Sequence, residues 1–379
     1  MKTQSKSFLN NFRIYSAANF CQGSRRIVGG LAVLLAGMHL SGSVEAAQIV
    51  WTNTSGGYWN VATNWSPNQV PTSADDALIT ASGTYTVTLN TSTNINSLAL
   101  GGASGQQTLV NNGYTLTLNQ ASVINTNGVV SFVGSLAGTG LLTIQGQFLW
   151  NYGQINAGSV VTVATNGLVT LTGTSPHSLY GIMTNAGTIQ LLNGSGDLVL
   201  NGSCQAAGAV GELVNLPGAL VDVQGNSSIS GGGCGTELVV NQGVLLKSGG
   251  AGTTYIYPSL TNSGTLEVQT GTVSLYYGQG SGVFLPEAGA TLIFSRTYEV
   301  DNGLTGAGTN LLNNGTFTLN GNINGSNVVL NGASLLASNT VINGALIWNN
   351  GAINAGSVVT VATNRLLTLA SGWLVSTGS

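Results

Sequence analysis

Glycan cleavage by general acid and base needs two carboxylates flanking one bond, and calcium-assisted proton abstraction needs Asp ligands beside a basic residue. This 379-residue chain carries 11 Asp and Glu, 8 Lys and Arg and 2 His. They are scattered: Asp197, Asp222 and Asp301 stand alone, and Arg365 has no acidic neighbour in sequence. Arg296, near Glu299 and Asp301, is the one set on which a polysaccharide lyase or hydrolase reading can rest. Asp75 and Asp76 are adjacent, and successive residues of a strand point to opposite faces, which keeps them from sharing a site. His177 lies in Thr174-Ser175-Pro176-His177, a turn-like stretch that reads as a solvated loop, and no serine sits in a nucleophile elbow. Zinc needs several Cys or His ligands. Gly194 to Leu198 matches half of a calcium-binding nonapeptide, without the tandem copy such a site requires, and no phosphate-loop pattern occurs. The expectation is a protein that is not an enzyme, with no catalytic set, no cofactor and no metal.

Aromatic residues offer a different chemistry. Tyr255, Tyr257, Tyr276, Tyr277 and Tyr298 fall at steps near 21 residues, and a ladder of rings can stack on sugar faces. Structural stacking among the rings themselves is the competing reading, for these tyrosines as for Trp150 and Trp348. Cys204 and Cys234 each follow small residues, and an even pair in an exported chain is compatible with a disulfide. Spacing leaves that bridge open, because it does not bring the two Cα atoms together.

The elements that would hold these residues announce themselves as repeats. Ile155 to Asn166 reads INAGSVVTVATN, and Ile353 to Asn364 is the same at an offset of 198. The flanks agree as well, with Trp150-Asn151 matching Trp348-Asn349 and Thr170-Leu171 matching Thr368-Leu369. Inside the unit a shorter theme, Asn-x-Gly, starts at Asn111, Asn151, Asn185, Asn241, Asn262, Asn313 and Asn349 and precedes alternating apolar and Thr, Ser or Gln positions. Segments such as Tyr114-Thr115-Leu116-Thr117-Leu118 and Thr316-Phe317-Thr318-Leu319 have period two, the mark of strands with one buried face. Asn and Gly tolerate positive φ and are expected to turn the corners. Steps of roughly 18 to 25 residues, nine of which make the offset, match a β-solenoid.

Charge points the same way. Only 5% of residues are charged, against about 25% in a typical domain. In a solenoid like residues lie one coil apart, about 4.8 Å, so repeated charges would repel along the stack, whereas Asn and Thr form hydrogen-bonded ladders. We therefore expect an all-β chain, a right-handed parallel β-helix from residue 104 to 379, of about 15 coils. Residues 47–103 hold Trp51, Trp59 and Trp65 with Pro67, Pro71, Asp75 and Asp76. That module is expected to cap the open end of the stack, with an aromatic sugar-binding face as the alternative.

Residues 1–46 read as a signal peptide. Lys2, Lys6, Arg13, Arg25 and Arg26 precede the apolar run Ile27 to Leu40, and Val44-Glu45-Ala46 supplies a cleavage site. The run is shorter than the roughly 20 residues a membrane span needs. Cleavage near Ala46 leaves three bases, Lys247, Arg296 and Arg365, against ten carboxylates, a net charge of −7. Nucleic acid and anionic lipid are then poor partners, since both need a basic patch, and the mature chain is not expected to insert in a membrane.

The order Trp51-Thr52, Gly57-Tyr58-Trp59, Asn64-Trp65-Ser66, Pro71, Asp75-Asp76, Ile95-Asn96-Ser97-Leu98 and Gly101-Gly102 resembles the opening module of exported bacterial proteins with autotransporter-associated β-strand repeats. That family is broadly similar to autotransporter passengers and filamentous-haemagglutinin-like adhesins. The resemblance implies a right-handed β-solenoid at the cell surface or outside the cell, non-catalytic, with an adhesive or structural role. Its partners would be polysaccharide or other surface proteins, self-association included. A glycan-binding module is the alternative function and a β-helical lyase or hydrolase the second alternative. No barrel domain, sorting tail or lipobox follows Leu374, and the chain stops soon after a duplicated strand whose first copy runs on into further repeats, which predicts a truncated reading frame.

Overall fold

The computed structural model describes residues 45–370; residues 1–44 of the predicted leader and residues 371–379 lie outside them. Apart from a single 3-10 turn, Ala62–Asn64, every regular element among the described residues is a strand. No described helix is long and apolar enough to cross a membrane.

Strands pair in parallel with those one coil before and one coil after, so three sheets run along the stack. We number them faces 1, 2 and 3 in the order the chain visits them. One coil comprises Ile182–Asn185 on face 1, Thr188–Leu191 on face 2 and Leu198–Leu200 on face 3. The next places Glu212–Asn215, Leu220–Val223 and Ile229–Gly231 upon them, with Asn185 opposite Asn215, Leu191 opposite Val223 and Leu198 opposite Ile229. About 14 such turns make a β-solenoid. Alternate residues face inward, and their Leu, Val, Ile and Phe side chains form one continuous buried column.

The N-terminal module belongs to the same stack. Ala47–Trp51 pairs in parallel with Asp75–Ile79, and that strand with Ser97–Leu100, so coiling starts ahead of residue 104. The short strand Trp65–Ser66 runs antiparallel on Ala47–Trp51 and pairs with its edge. Trp51, Trp59 and Trp65 are all buried; Trp51 and Trp59 each meet Trp65 edge to face, at 5.0 and 4.8 Å between ring centres. They close the apolar column, and no open sugar-binding face of Trp rings exists there.

Stacking explains the chemistry of the outward positions. The outward charges on the strands have uncharged partners above and below: Glu212 lies between Ile182 and Leu238, Asp222 between Gln190 and Leu246, Glu267 between Leu246 and Leu285, and Glu299 between Gln279 and Thr318. Like charges at one coil's separation would repel with little water between them. A buried amide, in contrast, can repeat. Asn185, Asn215, Asn241 and Asn262 sit at the corner between faces 1 and 2, and each Nδ2 donates to the next Oδ1 at 2.8, 2.8 and 2.7 Å. The second Nδ2 hydrogen bonds a backbone carbonyl of the following coil: Leu220, Val244, Thr265 and Val283 in turn. Such a ladder satisfies its own polar groups inside the core.

The Asn-x-Gly theme proves to be two motifs. Gly113, Gly153, Gly315 and Gly351 have φ between 72° and 103°, the expected corner role. Gly187, Gly243 and Gly264 have no positive φ. They follow the ladder asparagines, and a Cβ on them would meet a carbonyl of the preceding coil at 2.2, 2.4 and 2.1 Å. Close backbone approach, not turn geometry, excludes a side chain there.

Coil length runs from 18 residues, Leu260 to Gly278, to 32, Thr188 to Leu220, a wider range than the repeats suggest. The duplication is consequently out of phase. Ile155 ends a face 3 segment opposite Leu179, but Ile353 ends a face 1 segment opposite Leu335. The offset thus spans nine coils and one further face rather than nine even steps, and the same twelve residues lie one face along.

Replacing Asn215 by Leu interrupts the ladder, leaving the Asn241 Oδ1 and one Nδ2 hydrogen of Asn185 unpartnered in the core. We expect a loss of about 2–4 kcal/mol, read as a lower denaturation midpoint by circular dichroism; an unchanged midpoint would show that the ladder contributes nothing.

Candidate functional site

The corner where the chain passes from face 3 to face 1 carries the most unusual residues of the protein. Successive coils place there Tyr180, a loop at 201–211, a second at 232–237, then Tyr257-Pro258, Tyr276-Tyr277 and Arg296. Elsewhere this corner is at most four residues long. The two loops are the insertions that lengthen their coils, and a disulfide ties them: Cys204 and Cys234 have Cα atoms 5.5 Å apart and a sequence separation of 30, one coil. The bridge is thus present, and it makes a ledge out of two Gly-rich loops that have little apolar surface to order them.

Glu237 braces the same ledge. It is 4% exposed, and its Oε1 accepts the Cys234 N–H at 2.9 Å. Burial alone would raise the Glu237 pKa. The backbone N–H groups of Cys234, Glu237 itself, Gly202 and Gly235 outweigh that and hold it below the usual glutamate value. Gly202 belongs to the first loop and Cys234 to the second, so one carboxylate holds both.

Between the ledge and the next two coils lies a groove of about 860 Å³, lined among others by Gly233, Glu237, Tyr257, Pro258, Ser259 and Tyr277. Face 3 pairs Ile256 with Leu275, which sets Tyr257 and Tyr276 one coil apart at the same position. Their ring centres are 4.6 Å apart, and Tyr255 stacks on Tyr257 at 5.4 Å with an interplanar angle of 18°. Tyr277 is 48% and Tyr257 41% exposed, so ring surface remains open to a ligand. Burial is the first cause that raises the Tyr257 pKa, followed by the neighbouring Tyr276, then Tyr255 and last the charge of Asp197. Asp197 itself accepts from the Ser228 N–H and the Ser230 hydroxyl, both at 2.8 Å.

Three of the five tyrosines expected to act together, Tyr255, Tyr257 and Tyr276, therefore do meet, and Tyr277 lines the groove with Tyr257. Tyr298 does not: it points inward from face 1, is 1% exposed, and donates its hydroxyl proton to the Leu260 carbonyl. Its ring lies over Gly278, where a Cβ would come within 2.8 Å. The 21-residue step located the coil but not the parity of the strand. His177 is likewise no solvated loop residue. It opens the strand His177–Leu179, is fully buried, packs edge to face on Trp150 at 5.5 Å, and its Nε2 lies 2.9 Å from the Thr172 carbonyl oxygen. Trp150 is buried with it, whereas Trp348 is only partly covered.

Of the acidic candidates, Asp75 and Asp76 separate, while Glu299 and Asp301 come together without Arg296. Asp75 points inward and accepts from the Thr72 hydroxyl, while Asp76 points outward to Asn96 and Ser97, so the adjacent pair does split between two sides. Glu299 and Asp301 both accept from Asn320 Nδ2 at 2.8 Å beside a small hollow of about 280 Å³, which Arg296 does not line. No group of three His, Cys, Asp or Glu able to hold a metal occurs among the described residues. Sequence reasoning missed Lys247, which is 1% exposed. Its ammonium donates to the Gly225 carbonyl, to that of Gly249 at 2.9 Å and to Thr254 Oγ1 at 3.2 Å, and burial lowers its pKa. The alternation in Val244-Leu245-Leu246-Lys247 would have placed it inward.

No protein-family model, no curated protein and no solved structure matches the chain. The functional reading accordingly stands on the groove and its walls.

A carboxylate with a depressed folded pKa stabilises above its unfolded value and loses that contribution as pH falls through the folded one. The stability difference between the protein and Glu237→Gln should therefore hold steady down to about pH 4.5, the ordinary value, and shrink below it. Urea titrations across that range measure it; a difference independent of pH would mean that Glu237 is not the charged brace.

Proposed function

We propose that this chain is an exported, non-catalytic solenoid with a structural or adhesive role, and that it holds glycan in the tyrosine groove. The observation that carries the reading is the groove itself, where half-exposed Tyr257 and Tyr277 rings lie beside a disulfide-braced wall. Aromatic faces one coil apart, about 4.8 Å, match the apolar C–H faces of pyranose rings better than they match an extended peptide. A basic leader with a short apolar run supports export, and a disulfide is at home in an oxidising compartment. The resemblance of the Trp-rich opening to autotransporter-associated repeats supports a cell-surface setting. The remaining outward rows, uncharged Thr, Ser, Asn and aliphatic residues, suit many weak contacts with polymers or with other rods.

The protein should be retained on at least one insoluble polysaccharide of a varied panel. Changing Tyr255, Tyr257, Tyr276 and Tyr277 together to Ala should abolish that retention, with the β circular dichroism signal kept. Equal retention of the two proteins would dismiss the groove as the glycan site.

A further inference from the structure

We propose that the groove selects a cationic saccharide, a hexosamine unit carrying a free ammonium. This deepens the glycan reading above and rests on it. Glu237 lines the groove, and the loop amides that depress its pKa keep it ionised. Asp197 lies directly behind the lining, accepting the hydroxyl proton of Ser230 at 2.8 Å. Two carboxylates thus set the local potential.

No described Lys or Arg lines the groove. Lys247 is buried with its ammonium turned onto the carbonyls of Gly225 and Gly249. Arg296 occupies the same corner one coil beyond Tyr276-Tyr277, outside the groove lining. A uronic acid placed against Tyr257 and Tyr277 would bring a third carboxylate to the first two. A neutral sugar would gain ring stacking alone. A protonated amino sugar gains the stacking, the attraction of the ammonium for the electron-rich Tyr faces, and the pull of Glu237. The tyrosines are held ready for it: Tyr255 on Tyr257 and Tyr257 on Tyr276 are already packed at 5.4 and 4.6 Å. The acidic balance of the mature chain would also draw a polycation toward the rod.

Isothermal titration of the whole chain with three tetramers separates these cases: glucosamine, N-acetylglucosamine and glucose oligomers of equal length, at a pH where the amine is protonated and Glu237 ionised. The glucosamine tetramer should bind about tenfold more tightly than the other two, with the advantage shrinking as salt is added. Glu237→Gln should remove most of that advantage. Because that change also touches the loops, Tyr277→Leu, at an exposed position, is the second variant and should do the same without altering the fold. Equal affinity for all three tetramers would overturn the ammonium preference while leaving a glycan groove in place. Displacement by tetramethylammonium at the same concentration as the tetramer would show that the cation alone is recognised and would overturn the saccharide assignment. Binding to none of the tetramers would overturn the inference, and polymer retention insensitive to the tyrosines would remove the reading beneath it.

Discussion

Most strand residues of the described solenoid meet a counterpart one coil above and another one coil below, about 4.8 Å away, and that registry governs what each position can be. A group that attracts its own kind can repeat along the stack. One that repels its own kind cannot. The four-asparagine ladder from Asn185 to Asn262 shows the first case, with amide donors and acceptors alternating inside the core. Glu212, Asp222, Glu267 and Glu299 show the second, since each is flanked by uncharged side chains. A chain with 5% charged residues is the composition this rule leaves. The same closeness acts on the backbone, and at Gly187, Gly243 and Gly264 it removes the side chain altogether.

Registry also explains why the distinctive chemistry gathers where the stack is interrupted. A corner loop is free of the coil-to-coil constraint because it leaves the sheet. The loops at 201–211 and 232–237 lie one above the other and would otherwise be Gly-rich, poorly packed protrusions. The Cys204–Cys234 bridge and Glu237 convert them into a wall. The tyrosines of the next two coils form the opposite side. A concave site on a solenoid needs such a step in its outline, since uniform coils make a flat face.

The out-of-phase duplication follows from the same physics. Each face asks for the same pattern, aliphatic residues inward and small polar ones outward, so a segment copied with its turns can settle on whichever face the chain has reached. Trp150 therefore lies buried on face 2 while Trp348 lies partly covered on face 3. Identical sequence does not carry identical surroundings, and a residue's role in one copy does not transfer to the other.

Period-two alternation, corner residues, the repeats and the scarcity of charge were enough to read a parallel solenoid from sequence, because each coil depends on local pattern and on neighbours of its own kind. The Trp-rich cap was legible for the same reason: its large rings cluster within a short stretch. What the sequence left open was every relation between coils. Tyr298 shares the step of the other tyrosines, yet the parity of its strand turns it inward. His177 sits in a turn-like string, yet stacking recruits it to the core beside Trp150. Cys204 and Cys234 became partners, and Glu237 a brace, only because two coils of unequal length bring their loops into line. Coil length varies from 18 to 32 residues, so spacing along the chain does not yield alignment across the stack, and only the tertiary structure decided which residues face one another.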